Sequence, residues 1–588
     1  MLHVLRVNLD PLTLAPVYQV PYPGLKLTDV AVCQEMVIVT YRQTWNVTLG
    51  GVLVYQHFDG TMRQLQNVTR TQAGIILVFT RDCGATQVFY QVVSETSGDV
   101  CVTVRGQPAR ALVNRGCTVI IVTMENEPYL QRGQPVDPLG EIALLRFPRG
   151  LENPPSVIVL NFTQFDNRFN ELSAKGVRWP YRRTGFSRNL EPENAVLSDD
   201  EVTVYVSLQE NNAVAVVDLW HNSITALYGL GFKSWSTSRL DPSDRDGGIH
   251  IEPWPLYGMY MPGGMALASW EGRNYLLTAN EGGLTDYDVI PGFVEQRRGR
   301  EFNDSQLSLN VSSELRQALR NDTKLGRLML STVDGVDSNG RHHSFYTFGG
   351  RSFSIWSLPN MELVYDSGSI LEDMLAQVRP DLFNAGMTNA SHKVSQDFDS
   401  CSADTGPDTE SIAVGKLEDR LLIFVGNECP GTIAVFSLSD VTQPRFETYY
   451  TQGIPKISGS SWQQMYQDQQ LHAIDPESIR RAGVIRYACR CLLEDAGLLI
   501  VPTWLLCLWS LITRRTTAIA QKQKPVQWVM CPATGVSLTI LPQLCGVSIG
   551  IVPITTPECA CVTSFDLYLH ELYYYETSIS YLCVDELY

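Results

Sequence analysis

What most constrains the fold of this chain is a unit that recurs through its first 455 residues. A short apolar run is followed by a polar turn and a second run in which apolar and polar residues alternate. Residues 35–55 (EMVIVTYRQTWNVTLGGVLVY), 117–147, 202–219 (VTVYVSLQENNAVAVVDL), 274–287 and 420–438 (RLLIFVGNECPGTIAVFSL) all read this way. Alternation with period two is the signature of a β-strand with one face buried, so each copy predicts strand, loop, strand. Amphipathic helices are few, and residues 369–378 (SILEDMLAQV among them) are the clearest. Copies of such a unit at irregular intervals of roughly 50 to 80 residues predict an all-β chain, a β-propeller of four-stranded blades. We expect seven blades with one incomplete. A single β-sandwich would have to be too large; two stacked sandwiches are the alternative.

Composition divides the chain. All 24 Asn of the 588 residues precede residue 456, where an even distribution would leave roughly seven in the remainder. Eight of the 14 Cys lie in that remainder: Cys489, Cys491, Cys507, Cys531, Cys545, Cys559, Cys561 and Cys583. The net charge of -17 splits into -15 before residue 456 and -2 after it. We therefore expect a propeller over residues 1–480 and an atypical, Cys-rich, Asn-free tail over 481–588. Residues 496–513 (AGLLIVPTWLLCLWSLIT) form an uncharged run of 18, the short limit for a membrane span. Pro502 within it favours a buried segment. A strongly acidic chain argues against nucleic acid as a partner and suits cations.

The N-terminal residues MLHVLRVNLDPLTLAP lack the basic region and long apolar core of a secretory signal. Other features point outside the cell. Asn-x-Ser/Thr occurs at Asn46, Asn67, Asn161, Asn303, Asn310, Asn321 and Asn389, seven times where chance gives about three. Three of these between residues 303 and 323 predict an exposed polar loop or short helix. The six Cys before residue 456 suffice for three disulfides. Cys401 with Cys429 is the expected pair, and Cys33, Cys83, Cys101 and Cys117 are left open.

A second regularity concerns carboxylates. An acidic-Pro-acidic or similar element precedes a first strand at Glu191-Pro192-Glu193, at Pro407-Asp408-Thr409-Glu410 and at Asp475-Pro476-Glu477. Another Glu closes the next strand, Glu210 after Glu193 and Glu428 after Glu410. First strands line the channel of a propeller, so these residues predict a ring of carboxylates. Such a ring either binds a cation or is held by Arg and backbone amides, because uncompensated like charges are costly. An oxygen-rich loop, Asp241-Pro-Ser-Asp244-Arg-Asp246-Gly-Gly, places three carboxylates before two Gly that permit a tight turn, a pattern suited to a hard cation such as Ca2+. The same residues also suit a solvated turn.

Several longer stretches resemble a known family: LEPENAVLSDDEVTVYVSLQENNAVAVVDL (190–219), LGFKSWSTSRLDPSDRDGGIHIEPWPLYGMYMP (230–262), LLTANEGGLTDYD (276–288), YTFGGRSFSIWSLPNMELVYDSGSILEDM (346–374) and DTGPDTESIAVGKLEDRLLIFVGNECPGTIAVFSLSD (404–440). They resemble the mesenchyme-specific cell-surface glycoproteins and their bacterial relatives with a choice-of-anchor domain. The resemblance implies a YVTN or quinoprotein-like propeller outside the cell. It further implies calcium-linked biomineralisation, with matrix or mineral-associated components as partners and a membrane anchor not visible in this chain. Where the family has an acidic residue after Asn280-Glu281-Gly282 this chain has Gly283, while Glu281 and Asp286 remain as candidate ligands. Where the family shows a run like a calcium loop, this chain reads Asp334, Asp337, Asn339, Gly340, Arg341, His342 and His343, which removes hard oxygen ligands.

Some bacterial relatives are labelled phosphatases. Asp366-Ser367-Gly368 matches the Asp-Ser pair of alkaline phosphatases over two residues only, and two-metal hydrolysis needs convergent His and Asp. No Cys-x-x-Cys-His and no Gly-x-Ser-x-Gly occurs. Neither haem nor nucleotide is indicated. The expectation is a non-catalytic surface glycoprotein; the alternative is a metal-dependent phosphate-ester hydrolase.

Overall fold

The computed structural model describes residues 107–451 except 132, 149–154, 286, 288–289, 387–392 and 418–419, with separate strands between residues 2 and 93 and between 536 and 584. The chain falls into two compact units, one of residues 1–4, 16–499 and 582–588, the other of 5–15 and 500–581. The second unit contains an antiparallel hairpin, Val536–Gln543 with Gly546–Pro553. The apolar run 496–513 and the acidic element at Asp475 lie outside the described residues. Among the described residues no helix is long and apolar enough to cross a membrane.

The first unit is a β-propeller. Five antiparallel sheets follow one another among its described residues, each a meander in which a strand pairs with its successor. The first sheet runs Leu25–Cys33, Met36–Gln43, Gly50–Tyr55, Gly74–Phe79, Phe89–Val93. The second runs Pro108–Val113, Val119–Met124, Glu141–Arg146, Ser156–Asn161, and the third Pro192–Leu197, Thr203–Leu208, Ala213–Asp218, Ser223–Gly229. The fourth runs Met265–Trp270, Arg273–Asn280, Ser352–Ser357, Glu362–Asp366, and the fifth Thr409–Leu417, Arg420–Asn427, Thr432–Leu438, Arg445–Thr451. The first strands adjoin in order: Leu25–Cys33 meets Pro108–Val113, which meets Pro192–Leu197, then Met265–Trp270, then Thr409–Leu417. That succession is the radial arrangement of propeller blades rather than two stacked sheets.

Burial explains why the apolar runs sit where they do. Val119–Met124 is buried along its whole length because sheets cover both its faces, whereas the fourth strand Ser156–Asn161 is half-exposed. The cores lie between neighbouring sheets. Ile38, Val52, Ala111, Ile120 and Phe147 fill the first interface, and Ile121, Leu144, Val206 and Ala215 the second. Tyr205, Tyr260, Leu276 and Trp356 fill the third, and Leu277, Phe353, Ile423 and Phe436 the fourth. Each Val, Leu, Ile or Phe side chain among these contributes about 1.5–3 kcal/mol on burial.

One expected hairpin is corrected. The run 274–287 does not fold back on itself: Arg273–Asn280 takes Met265–Trp270 and Ser352–Ser357 as its partners. Residues 281–351 are inserted between them and join residues 232–262 in a satellite with its own core of Trp235, Leu240, Phe302, Leu319, Leu325 and Phe345. Its helix Ser313–Arg320 starts at Ser312, whose Oγ accepts from the Leu315 N–H at 3.2 Å. The expected helix at 369–378 is present as Ile370–Val378.

Candidate metal centre

Four of the five first strands carry an extra residue near their start, with register shifts between Leu27 and Asp29, Pro108 and Arg110, Pro192 and Ala195, and Thr409 and Ser411. A bulge turns side chains out of the alternating pattern. Glu193 falls within the third of these and Glu410 within the fourth. The second strands run back antiparallel, so their C-terminal ends return to the same place, carrying Glu125 and Glu127, Gln209 and Glu210, Glu281, and Glu428. Hydrogen bonds join the sheets here: the Asn194 amide donates to the Gly263 carbonyl at 2.9 Å, the Ala111 N–H to Asp29 at 3.0 Å, and the Gly264 N–H to the Glu410 carbonyl at 2.7 Å.

Part of this acidity is neutralised. The Arg42 guanidinium pairs with Glu125 and, at 3.3 Å, with Glu127, and holds the Glu125 carboxyl below its ordinary range despite burial. Arg178 is buried between Glu295 at 2.7 Å and Asp334 at 2.8 Å, and donates to the Glu210 carbonyl at 2.6 Å. Elsewhere burial dominates. Glu191 and Glu210 are pushed well above the usual carboxylate range by desolvation and by their acidic neighbours, which for Glu191 include Glu210 itself. Desolvation, then Glu410, raises Asp408 to about 7. Glu125, Glu127 and Gln209 sit at the same strand ends as the carboxylates named from the sequence, but carry no acidic-Pro-acidic signal that would have marked them.

The oxygen-rich loop folds differently from its sequence. Asp241 and Asp246 converge, but their third partner is Asp399: an oxygen of each lies within 4.8 Å of the others. Asp244 turns away and forms a two-pronged pair with Arg327, 2.9 Å at each contact. Asp241 is fully buried and accepts from the backbone N–H groups of Ser243 (3.3 Å) and His250 (2.6 Å). Asp246 accepts from the Gly248 N–H at 3.2 Å and lies 3.1 Å from His250 Nδ1. Asp399, in the left-handed region at φ 65°, accepts from the Ser402 hydroxyl. Desolvation first, then acidic neighbours, push Asp241 up to about 7 and Asp399 up to about 8.

Arg351 ties the two halves of this cluster together. Fully buried, it donates to the Asp241 carbonyl at 2.7 Å, the Ser402 carbonyl at 2.6 Å and Glu372 at 3.0 Å. Its charge reaches the main chain of Asp241, leaving the carboxylate to neutral donors. Beside Asp399, the Asn384 amide nitrogen donates to Ser402 Oγ at 2.8 Å, and its buried Oδ1 has no hydrogen-bond partner. Three carboxylates with an amide oxygen nearby, in a dry setting, are the donor types of a hard divalent cation.

The remaining candidates are placed as follows. Asp286, Asn46, Asn67 and Asn389 lie outside the described residues. Asn303, Asn310 and Asn321 are exposed on the insertion, and Asn161 is half-buried. Cys401 and Cys429 form a disulfide, as do Cys33 and Cys117, which join the first sheet to the second. Asp334 is held by Arg178, and Asp337 caps the N–H groups of Asn339 (2.8 Å) and Arg341 (3.0 Å).

A β-propeller with acidic clusters at its strand ends and a loop insertion is the class this architecture defines. The chain belongs to the choice-of-anchor I domain family, whose sequence pattern matches residues 1–441. It is similar to the mesenchyme-specific cell surface glycoprotein of Strongylocentrotus purpuratus, 33% identical over 328 residues, 50% of this chain and 42% of that protein. It is also similar to Gigasin-3a of Magallana gigas, 36% identical over 164 residues, 28% of this chain and 57% of that protein. The chain thus spans about half the length of these relatives. Among solved structures it overlaps Pseudomonas aeruginosa periplasmic gluconolactonase PpgL (TM-score 0.28, 9% identity, 76% of this chain and 96% of that one). It also overlaps the Cps50 (Swd1) β-propeller domain of Myceliophteria thermophila (TM-score 0.25, 8% identity, 73% and 88%). At these scores the overlaps add nothing to what the strand order establishes.

Proposed function

We propose that this chain is a non-catalytic glycoprotein domain working outside the cell, at the cell surface or secreted, and that it holds calcium between Asp241, Asp246 and Asp399. The observation that carries the reading is the convergence of three mostly buried carboxylates, from two distant segments, with neutral donors on Asp241 and Asp399. A divalent ion offsets the charge repulsion that burial otherwise leaves in place. The exposed sequons, the disulfides and the surface glycoprotein among its relatives support the compartment. In that setting the partners are matrix or mineral-associated components, reached through calcium.

Calorimetric titration of the full-length chain with calcium tests this. We expect saturable binding with a Kd on the order of 10⁻⁴–10⁻³ M, as in extracellular calcium modules. Asp399→Asn weakens it at least tenfold. An isotherm unchanged by Asp399→Asn sinks the site. Metal-dependent turnover of a phosphomonoester, lost in Glu281→Gln, sinks the non-catalytic reading in favour of the hydrolase.

A further inference from the structure

The ends of the second strands hold a second group of oxygens, separate from the Asp241 cluster. Gln209 is 5% exposed, and its side-chain nitrogen donates to the Gly282 carbonyl, which turns its Oε1 the other way. That oxygen has no hydrogen-bond partner. It lies beside the Glu281 carboxylate, which packs against the bare Cα of Gly263: a Cβ placed there would stand 3.3 Å from Gln209 Oε1 and 1.9 Å from Glu281 Oε2. A Cβ on Gly283 would likewise stand 2.9 Å from Glu210 Oε1 and 3.1 Å from Gln209 Nε2. Neither glycine has a positive φ, so space rather than backbone conformation distinguishes these positions. Glu210 and Glu191, 7% and 1% exposed, each carry one further buried oxygen without a partner.

We propose that Gln209, Glu210 and Glu281 form a second cation site that takes a hard divalent ion at the inner ends of the third and fourth sheets. The donor set fits. An amide carbonyl oxygen and carboxylates are the ligands Ca2+ prefers, and a buried amide oxygen left unpaired is costly unless something satisfies it. The nearby cations are committed elsewhere: Arg42 faces Glu125 and Glu127, and Arg178 gives its side chain to Glu295, Asp334 and the Glu210 main chain. The two glycines let the Glu281, Glu210 and Gln209 side chains come in where any Cβ would collide with them. Because the site draws its ligands from two consecutive sheets, an ion there would tie them together.

The experiment is calcium calorimetry on the full-length chain, with Asp399→Asn used to disable the first site. The proposal expects Asp399→Asn protein to retain one saturable calcium site. Glu210→Gln added to it weakens that binding at least tenfold. Gly263→Ala, which keeps every ligand but displaces the Glu281 carboxylate, weakens it too. Residual binding indifferent to both substitutions overturns the second site, as does an Asp399→Asn protein that binds no calcium while the unaltered chain does. If instead the unaltered chain binds a single ion, lost in Glu210→Gln and kept in Asp399→Asn, the second site stands and the Asp241 cluster fails.

Discussion

Asp241 and Asp399, drawn from opposite sides of the fourth sheet's sequence, present carboxylate oxygens within 4.8 Å of one another. Arg351, on the first residue before a strand of that sheet, bonds to the main chain next to both. The cluster is thereby built into the frame of the propeller rather than hung on a loose loop, and the residues proposed to hold an ion are distinct from those that hold the loop.

Asp244 belongs to the second kind. Its pair with Arg327 is partly exposed, so Asp244→Asn should cost about 1 kcal/mol or less of stability. Calcium affinity should stay within about twofold of the unaltered chain, since Asp244 contributes no oxygen to the cluster. Urea denaturation and calorimetry on the same variant check both.

Arg178 should be the costliest single charge to remove among the residues described. Arg178→Met leaves Glu295 and part of Asp334 buried without their cation, a change expected to lose about 3–5 kcal/mol. Chemical denaturation shows this as a fall in midpoint, and a loss under 1 kcal/mol would contradict the assignment.

The Cys401–Cys429 bond closes 28 residues of sequence separation and lies two residues from Asp399. By loop-closure entropy, replacing both Cys with Ala should cost about 3–4 kcal/mol. Calcium binding should weaken in parallel, because the segment bearing Asp399 loses its anchor. Thermal melts with and without calcium read the two effects separately.

His342 gives the insertion a pH dependence. Its ring lies between Phe302 and Phe345, and burial lowers its pKa against the pull of Asp334, with Arg297 and His343 acting in the same direction as burial. The unfolded imidazole titrates near ~6.5, so between that value and the lower folded one the unfolded chain binds more protons. Stability is therefore complete above about pH 6.5 and declines below it. His342→Leu should flatten the change in melting temperature between about pH 7 and 5.5.

The strand pattern was legible because period-two runs survive folding unchanged: 203–208, 213–218, 420–427 and 432–438 are strands where the alternation falls. The acidic strand ends were legible for the same reason, since Glu193 and Glu210 lie at the same open end of one antiparallel pair. What the sequence hid were partners set by distance in the fold. Asp244 is a better local match to a cation loop than Asp399, but Arg327 reaches it from the insertion. Nothing around Asp399 marks it as a ligand until the chain brings it against Asp241. The insertion itself was hidden because the apolar and polar runs of 274–287 have the pattern of a strand hairpin, although the next strand of the sheet begins only at Ser352.

The most direct measurement is anomalous scattering from crystals of the full-length protein grown with calcium. A peak is expected between Asp241, Asp246 and Asp399, with ligand oxygens at about 2.3–2.6 Å. Ordered water or no density there, in a crystal whose calcium sits elsewhere, would contradict it.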